Sequence, residues 1–424
     1  MPPERDVFRA PIGTRDVLPP ESDRWEVLVT AFAVRAARAG FRLLVTPVFE
    51  HVEVVQKLGS STDVVRHEMY DFDDKGGRRL ALRADGTASV VRAFVQHRPV
   101  TPWKVWYVAP NFRYERPQKG RYRQHWQVGV EVLGVDDPGV DVEVVALAHR
   151  FYRLDLGLRQ FRLLVNSMGD AESRARYRDV LLDYWRAHAD VLDDELARAE
   201  ANPFRVLDSK REDWQDLIET APQIGDYLSD KSAGDFEAVQ SGLRALGIDF
   251  EISPRLVRGL DYYTGTTFEF QSDALDAAQN AIGGGGRYDR LTEEMGGPPT
   301  AGIGFGIGIE RVLIACDAEA VFGAPESRLD AFVVDLVGGT EGLCIIEELR
   351  TMGLAADRAY GSRTLKKQLG AADRSGARWS VMLLPREFGE GHVVVKDLET
   401  GKEEPVRRDE VAAWLRTKKD VPSS

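Results

Sequence analysis

The sequence predicts an α/β fold in two parts: a large N-terminal unit with a mainly antiparallel sheet flanked by helices, and a smaller C-terminal unit in which strands and helices alternate. Three stretches predict it. Between Val105 and Leu133 two alternating, strand-like segments flank a loop carrying Arg116, Lys119, Arg121 and Arg123. From about Asp170 to Gly247 charge-dense helical patterns such as ESRARYRDVLLDYWRAH replace strand signals, which marks a helical insertion. After the turn-rich GAPESR at 323–328, strand and helix patterns alternate in a way that suits a separate small domain.

The elements follow in order. Trp25, Leu28, Val29, Phe32 and Ala36 recur at helical spacing and predict a helix from Ser22 to Gly40. Phe41 to Phe49 reads as a strand interrupted by Pro47, a residue that suits an edge or an interface. Gly76 and Gly77 mark a turn before a short strand Arg79 to Arg83, and Ala88 to Phe94 is helical. In the hairpin that follows, alternation puts Arg113 and Glu115 on one face, with Phe112 and Tyr114 on the other. On its second strand Gln127 and Glu131 share a face with Gly129 between them, backed by Val128, Val130 and Val132. The gap at Gly129 is expected to let a ligand lie against the backbone between an amide and a carboxylate, and the nearby cations suit a polyphosphate.

Strand signals return at Phe268 and run through Gly283 to Gly286 into AGIGFGIGIERVLI. There glycines 302, 304, 306 and 308 fall on one face and leave it flat before a helix near Glu310. The C-terminal part reads as strand LDAFVVDLV, helices EGLCIIEELRTMG and TLKKQLGAADRSG, strands WSVMLLP and HVVVKDL, and a last helix DEVAAWL, with a disordered tail.

At 424 residues the chain exceeds one typical core. Hydrophobic residues at 43% and charged residues at 29% describe an ordinary globular composition. No apolar run reaches membrane-spanning length, and the opening MPPERDVFRAPIG lacks a signal core, so a cytoplasmic protein is expected. Cys316 and Cys344 are too few for a disulfide framework and are both expected to be buried small apolar residues. The histidines show no ligand spacing, so no protein-ligated metal is predicted, and His125 in the hairpin is expected to be packed or solvent facing. A net charge of −12 argues against indiscriminate DNA coating and leaves selective RNA binding through local basic patches open.

Four segments combine: the hairpin FRYERPQKGRYRQ, RADGT at 83–87, RGLDYYTG at 258–265, and GGGGRYD with the glycine strand ending in Arg311. In this order they resemble the histidyl-tRNA synthetase family of class II aminoacyl-tRNA synthetases. The hairpin is similar to that class's motif 2, AGIGFGIGIER to motif 3 and the Pro47 strand to motif 1, while LVRGLDYYTGTTFEF and GGGGRYD resemble the histidine-specific signatures. The likeness runs from GTRDVLPP to VVVKDLETGKEEPV, nearly the whole chain. It implies a catalytic domain at 1–325 containing the insertion at 170–248, and an anticodon-binding domain at 326–424.

The implied reaction is attack of the histidine carboxylate on the α-phosphorus of ATP, with Mg²⁺, and transfer of histidine to its tRNA. Bringing anions together calls for positioned cations. By resemblance Arg113, Arg258 and Gln127 are catalytic, Arg113 meeting the α-phosphate and Arg258 standing where other class II members use a metal. Arg121 and Arg311 hold the outer phosphates or adenine, and Glu115 touches the adenine ring. Asp85, Thr87 and Gln127 take the amino end of histidine, and Glu131, Tyr262, Tyr263 and Tyr288 surround the imidazole, with Arg113 and Arg258 beside the substrate. A carboxylate and a phenol fix both ring nitrogens, so a wrong amino acid leaves them unpaired. On the residues alone, the tyrosines also fit core packing and Arg258 a surface position.

Two departures stand out. The family usually has RPEGT where this chain has RADGT, so Asp85 is one methylene shorter and reaches the ammonium directly only if the loop moves inward, or through water. TGTT after Tyr263 also differs from the usual sequence. For the RNA, Gln118, Lys119 and Arg123 are expected at the tip of the hairpin loop near the acceptor end, while Arg358, Arg363, Lys366, Lys367, Arg374 and Arg378 face the anticodon; a solvated helix face is the other reading of such charges. A homodimer through the Pro47 strand is expected. The alternatives are a non-catalytic paralogue that senses histidine as a regulatory subunit of ATP phosphoribosyltransferase, and a synthetase for another amino acid such as threonine or proline.

Overall fold

The computed structural model describes residues 8–57, 59, 62, 64–118, 120–192, 196–209, 211–257, 262–276, 280–325, 329–361 and 364–419. Two compact units divide the chain, Met1–Gly323 and Ala324–Ser424.

The first unit is organised by an eight-stranded sheet in the order Arg42–Leu43, Trp103–Phe112, Gln124–Leu133, Gly302–Gly308, Ala281–Arg287, Thr264–Ser272, Phe161–Ser167, Glu251–Ile252. The six inner strands pair antiparallel, and only the two-residue strands at the edges pair parallel. Strand alternation separates its faces. Val128, Val130, Val132, Ile303, Phe305 and Ile307 point into a core closed by helices Glu21–Arg38, Pro138–Arg150 and Ile309–Ala318. The opposite face carries Val105, Tyr107, Ala109 and Leu133 against helix Gly86–His97 and a three-stranded sheet of Phe49–His51, Arg79–Leu82 and Asp71–Asp73. Helix starts are chemically marked: Asp85 accepts from Ala88 N at 3.1 Å, and Asp137 accepts from Gly139 N ahead of Pro138.

The helical stretch has its own core, in which Tyr177, Leu181 and Trp185 line one face of Ala171–Ala187 at four-residue spacing. Its last helix, Asp230–Ala245, sends Val239 and Leu243 into the main core instead. The second unit is a five-stranded sheet ordered Ala356–Arg358, Ala331–Asp335, Trp379–Leu383, His392–Asp397, Glu403–Arg407, parallel in its first two pairings and antiparallel in the others.

Several local expectations change. Phe41 to Phe49 is not one strand: only Arg42–Leu43 and Phe49–His51 pair, and they join different sheets. Between them Pro47 has no N–H to give, and the carbonyls of Thr46 and Pro47 accept from the Arg83 guanidinium instead. The first hairpin strand ends at Phe112, so Arg113 and Glu115 do not project from a pleated face. After Arg113 N bonds Arg123 O, Tyr114 N turns to Glu68 O and Glu115 N to Arg113 O, which takes the chain out of the ladder. Cys316 is buried, but Cys344 is exposed, because Ile345, Ile346 and Leu349 form the buried stripe of helix Gly339–Thr351 and Cys344 falls beside it.

Candidate functional site

The hairpin, the glycine strand and the helix after it enclose a cavity of about 360 Å³. Arg113, Arg121 and Arg311 line it together, with Glu115, Gln127 and Glu269 among its polar walls. Each cation has a local anchor. Arg113 Nε donates to Ala84 O at 3.0 Å, Arg311 Nη1 donates to Ala281 O at 2.9 Å, and Arg121 lies 3.5 Å from the Glu115 carboxylate. Arg311 projects from the first turn of helix Ile309–Ala318, so the strand-to-helix junction sets its direction. Gly283, Gly284, Gly306 and Gly308 supply a floor without side chains, over which a planar ligand can lie close to the backbone.

On the same sheet face lies a buried polar cluster. Glu131 is fully buried, and its Oε1 accepts from Thr87 Oγ1 at 2.8 Å while its Oε2 accepts from Tyr288 OH at 2.6 Å. Tyr262 OH donates to Asp85 Oδ2 at 3.0 Å, so both Asp85 oxygens are engaged, one by the helix cap and one by the phenol. The Tyr262 and Tyr263 rings stand 4.6 Å apart, and Tyr262 meets Tyr288 edge to face at 5.9 Å. Gln127 accepts from Asn111 Nδ2 at 2.7 Å, which leaves its amide nitrogen turned to other partners. The glycine strand makes this packing possible, since Gly304 is the cross-strand partner of Glu131 and Gly308 that of Gln127.

Burial sets the electrostatics. Glu131 is pushed up to about 8, desolvation outweighing the hydroxyls bonded to it. Burial also raises Asp85, against the opposing pull of its cap hydrogen bond and of Arg113. Tyr107, Tyr262 and Tyr288 are raised far above an ordinary phenol by burial, reinforced by the neighbouring carboxylates. Arg311 is lowered by burial and by Arg121. His125 lines the cavity, and burial with Arg113 and Arg311 lowers it to about 3, so its imidazole is neutral at physiological pH.

The structure thus brings together Asp85, Thr87, Glu131, Tyr262, Tyr263 and Tyr288 in one cluster, and Arg113, Glu115, Arg121, Gln127 and Arg311 around one cavity. Arg258, Lys119 and Arg363 lie outside the described residues. Gln118 sits at the hairpin tip, bonded through its backbone to Arg121 in both directions. Arg123 does not: it stands at the base of the loop, its guanidinium 3.8 Å from the Tyr114 ring centroid and its Nε on Glu115 O. The expected gap at Gly129 is also filled, because the Tyr107 ring lies where a Gly129 side chain would be. In the second unit Lys366, Lys367 and Arg374 are exposed on helix Leu365–Ser375, while Arg358 and Arg378 lie over the Tyr360 and Trp379 rings at 5.1 and 4.5 Å.

Sequence reasoning missed Tyr107, Asn111, Glu269 and Glu310. Glu310, six percent exposed, accepts from Trp126 N at 3.0 and 3.1 Å and is raised by burial to about 7, so it locks the second hairpin strand to the helix that bears Arg311. Tyr107 was legible in principle, as a large residue directly across the hairpin from Gly129. Arg287, inside GGGGRYD, is structural: it pairs with buried Asp141 at 2.7 Å.

An antiparallel sheet that brings arginines from a hairpin and from the helix after a glycine strand around one cavity, beside a buried carboxylate cluster, has the design of the class II aminoacyl-tRNA synthetases. A family model described as Histidyl-tRNA synthetase matches residues 13–312, and one described as Anticodon binding domain matches residues 332–418. The chain is similar to a histidine–tRNA ligase of Streptomyces avermitilis, 46% identical over 96% of this chain and 98% of that protein, and to one of Rhodococcus erythropolis, 47% identical over 96% and 97%. The crystal structure of apo Staphylococcus aureus histidyl-tRNA synthetase superposes with a TM-score of 0.82 at 34% identity, covering 97% of this chain and 100% of that one. The chain belongs to the histidyl-tRNA synthetase family.

Proposed function

We propose that the chain joins L-histidine to the α-phosphate of ATP, releasing pyrophosphate, and passes the histidyl group from the adenylate to the 3′ end of histidine tRNA. The observation that carries this reading is the position, on one sheet face, of a cavity lined by Arg113, Arg121 and Arg311 and of a buried polar cluster built on Glu131.

Three guanidiniums fixed by local anchors can neutralise a triphosphate without reorganising as charge shifts to the leaving pyrophosphate. Arg113 and Gln127, which both line the cavity, are assigned to the point where carboxylate and α-phosphorus must meet, and Arg258 is assigned to the same phosphate. Arg121 and Arg311 hold the outer phosphates or the adenine, with Glu115 at the adenine ring. Mg²⁺ is assigned to arrive with ATP, with no protein-ligated metal. Asp85, Thr87 and Gln127 receive the histidine ammonium; the Thr87 hydroxyl donates to Glu131 and so presents its oxygen as an acceptor. Glu131, with Tyr262, Tyr263 and Tyr288, encloses the imidazole.

Gln118, Lys119 and Arg123 are assigned to the RNA acceptor end, and the exposed cations of the second unit to the anticodon. A homodimer is supported by the segment around Pro47, where Leu43, Val45 and Phe49 are 55%, 80% and 51% exposed between the edges of two sheets. A cytoplasmic location fits the use of ATP and tRNA. Pyrophosphate exchange with the purified protein tests the reading: exchange that depends on histidine supports it, whereas histidine binding without exchange indicates a histidine-sensing subunit.

A further inference from the structure

Strands Phe161–Ser167 and Thr264–Ser272 pair antiparallel as far as Ser167 and Thr266. Met168 N on Gly265 O at 2.6 Å and Gly265 N on Gly169 O at 3.0 Å carry the pairing further. Past that point one chain enters helix Ala171–Ala187, the first of the insertion, and the other leads back to Tyr263 and Tyr262. The sheet thus sets the start of the insertion beside the tyrosine pair, although some ninety residues separate them in sequence. Arg174 spans the junction: its Nη1 donates to Tyr263 O at 2.6 Å, and its guanidinium carbon stands 5.2 Å from the centre of the Phe204 ring. Phe204 packs against both the core that holds Tyr262 and Tyr263 and the insertion's own core.

Both ends of this bond are held. On the insertion side, Asp170 Oδ1 accepts from Ser173 N at 2.9 Å and caps the helix one turn before Arg174, while its Oδ2 accepts from Ser229 Oγ at 2.5 Å. Ser229 in turn caps helix Asp230–Ala245 through Ser232 N, so one carboxylate ties together the starts of two helices. On the pocket side, the Tyr263 ring lies 4.6 Å from that of Tyr262, and a Cβ at Gly286 would fall 3.0 Å from Tyr263 Cδ1. Tyr262 OH then reaches Asp85 Oδ2 at 3.0 Å. A displacement of the Tyr263 backbone is therefore passed to Tyr262 and to Asp85.

We propose that Arg174 is a positioning residue for the histidine pocket, a role that rests on the proposed function: from the insertion it pins the Tyr263 carbonyl and so fixes where the two tyrosine rings stand before histidine arrives. A bond from a charged donor is stronger than one between neutral groups, and here it acts on the backbone, so it holds both neighbouring side chains at once. Pre-set rings spare the ligand the cost of ordering them. The nucleotide cavity lies outside this chain of contacts, since its arginines are anchored on Ala84, Glu115 and Ala281. Loss of Arg174 is therefore felt by histidine and not by ATP.

Arg174→Met keeps an unbranched stem to pack on Phe204 and removes every donor, whereas Arg174→Lys keeps a cation able to donate to the carbonyl. Histidine affinity of the full chain is measured by titration calorimetry, beside pyrophosphate exchange with each substrate varied in turn and thermal unfolding. The expected result for Arg174→Met is histidine affinity weakened about tenfold, as for a lost hydrogen bond from a charged group, with the KM for ATP and the thermal midpoint near wild type. Arg174→Lys should recover part of the loss. Wild-type histidine affinity in Arg174→Met overturns the proposal. So does a methionine variant that unfolds or weakens both substrates alike, which marks a merely structural residue, and so does a lysine variant as weak as the methionine one. A wild-type protein that binds no histidine overturns the proposed function and this inference with it.

Discussion

Gly304 and Glu131 are cross-strand partners packed so tightly that a Cβ at Gly304 would fall 1.7 Å from Glu131 Oε2 and 2.4 Å from Val130 O. Only a residue without a side chain leaves room for a carboxylate buried in the sheet. Gly304→Ala should therefore displace Glu131 and lower stability by about 1–3 kcal/mol, the usual cost of overpacking. Histidine-dependent exchange should fall with it. Exchange kinetics and thermal unfolding measured on the same variant check this, and retention of both at wild-type levels would contradict the packing described.

Glu131 and Glu310, raised by burial from 4.5 to about 8 and about 7, make stability fall as pH rises. Between their unfolded and folded values the folded chain binds more protons than the unfolded one, so their contribution is complete below about pH 4.5 and is lost as pH climbs to about 8. Glu131→Gln should flatten this decline. Urea unfolding at pH 5 and pH 8 reads it directly: a variant that loses as much stability as wild type between the two would refute the assignment.

Arg311 combines a cavity position with a carbonyl anchor at Ala281. Arg311→Ala should raise the KM for ATP by about ten- to a hundredfold, as expected for a charged hydrogen bond of about 1.5–3 kcal/mol, and leave histidine affinity nearly unchanged. Steady-state exchange with each substrate varied in turn distinguishes this from general damage, which would weaken both.

Asp141→Asn tests the buried ion pair with Arg287, in which Arg287 Nη2 and Nε meet the carboxylate at 2.7 and 3.0 Å. Removing the charge at Asp141 takes away the bidentate partner and leaves the buried guanidinium only the longer contacts to Asp289 at 3.3 Å and Asp136 at 3.9 Å, a cost approaching the about 3–5 kcal/mol of a broken buried pair. A large drop in the chemical-denaturation midpoint is expected, and a change under about 1 kcal/mol would mean that Asp289 and Asp136 alone hold the guanidinium.

Ending the chain at Gly323 should spare adenylate formation and weaken tRNA charging. Each unit has its own apolar interior, the second built on residues such as Val333, Ile345, Leu349 and Val381. Equal loss of exchange and charging would count against separate roles.

Much of this architecture is legible in the chain because period-two alternation is a direct signal. Val128, Val130 and Val132 against Gln127 and Glu131 set the faces of one strand, and glycines 302 to 308 set the bare face of its neighbour. What escaped depends on partners remote in sequence. Nothing near Pro47 announces that Arg83 will take its carbonyl, and nothing beside Gly129 says that Tyr107 will fill the gap. Strands Ala356–Arg358 and Glu403–Arg407 are short and polar, held by neighbouring strands and not by their own periodicity. The scattered residues around Glu131 come together in space, but their internal bonding, with Thr87 on the Glu131 carboxylate and Arg123 withdrawn to the loop base, needed coordinates.

The amino-terminal residues touch the same hairpin. Arg123 N donates to Gly13 O at 2.8 Å, and the Arg15 guanidinium rests 5.1 Å from the centre of the Tyr122 ring. A strap that reaches the root of the hairpin loop couples the segment around Gly13 and Arg15 to that loop: proteolytic nicks placed in this segment act on the loop that presents Arg121.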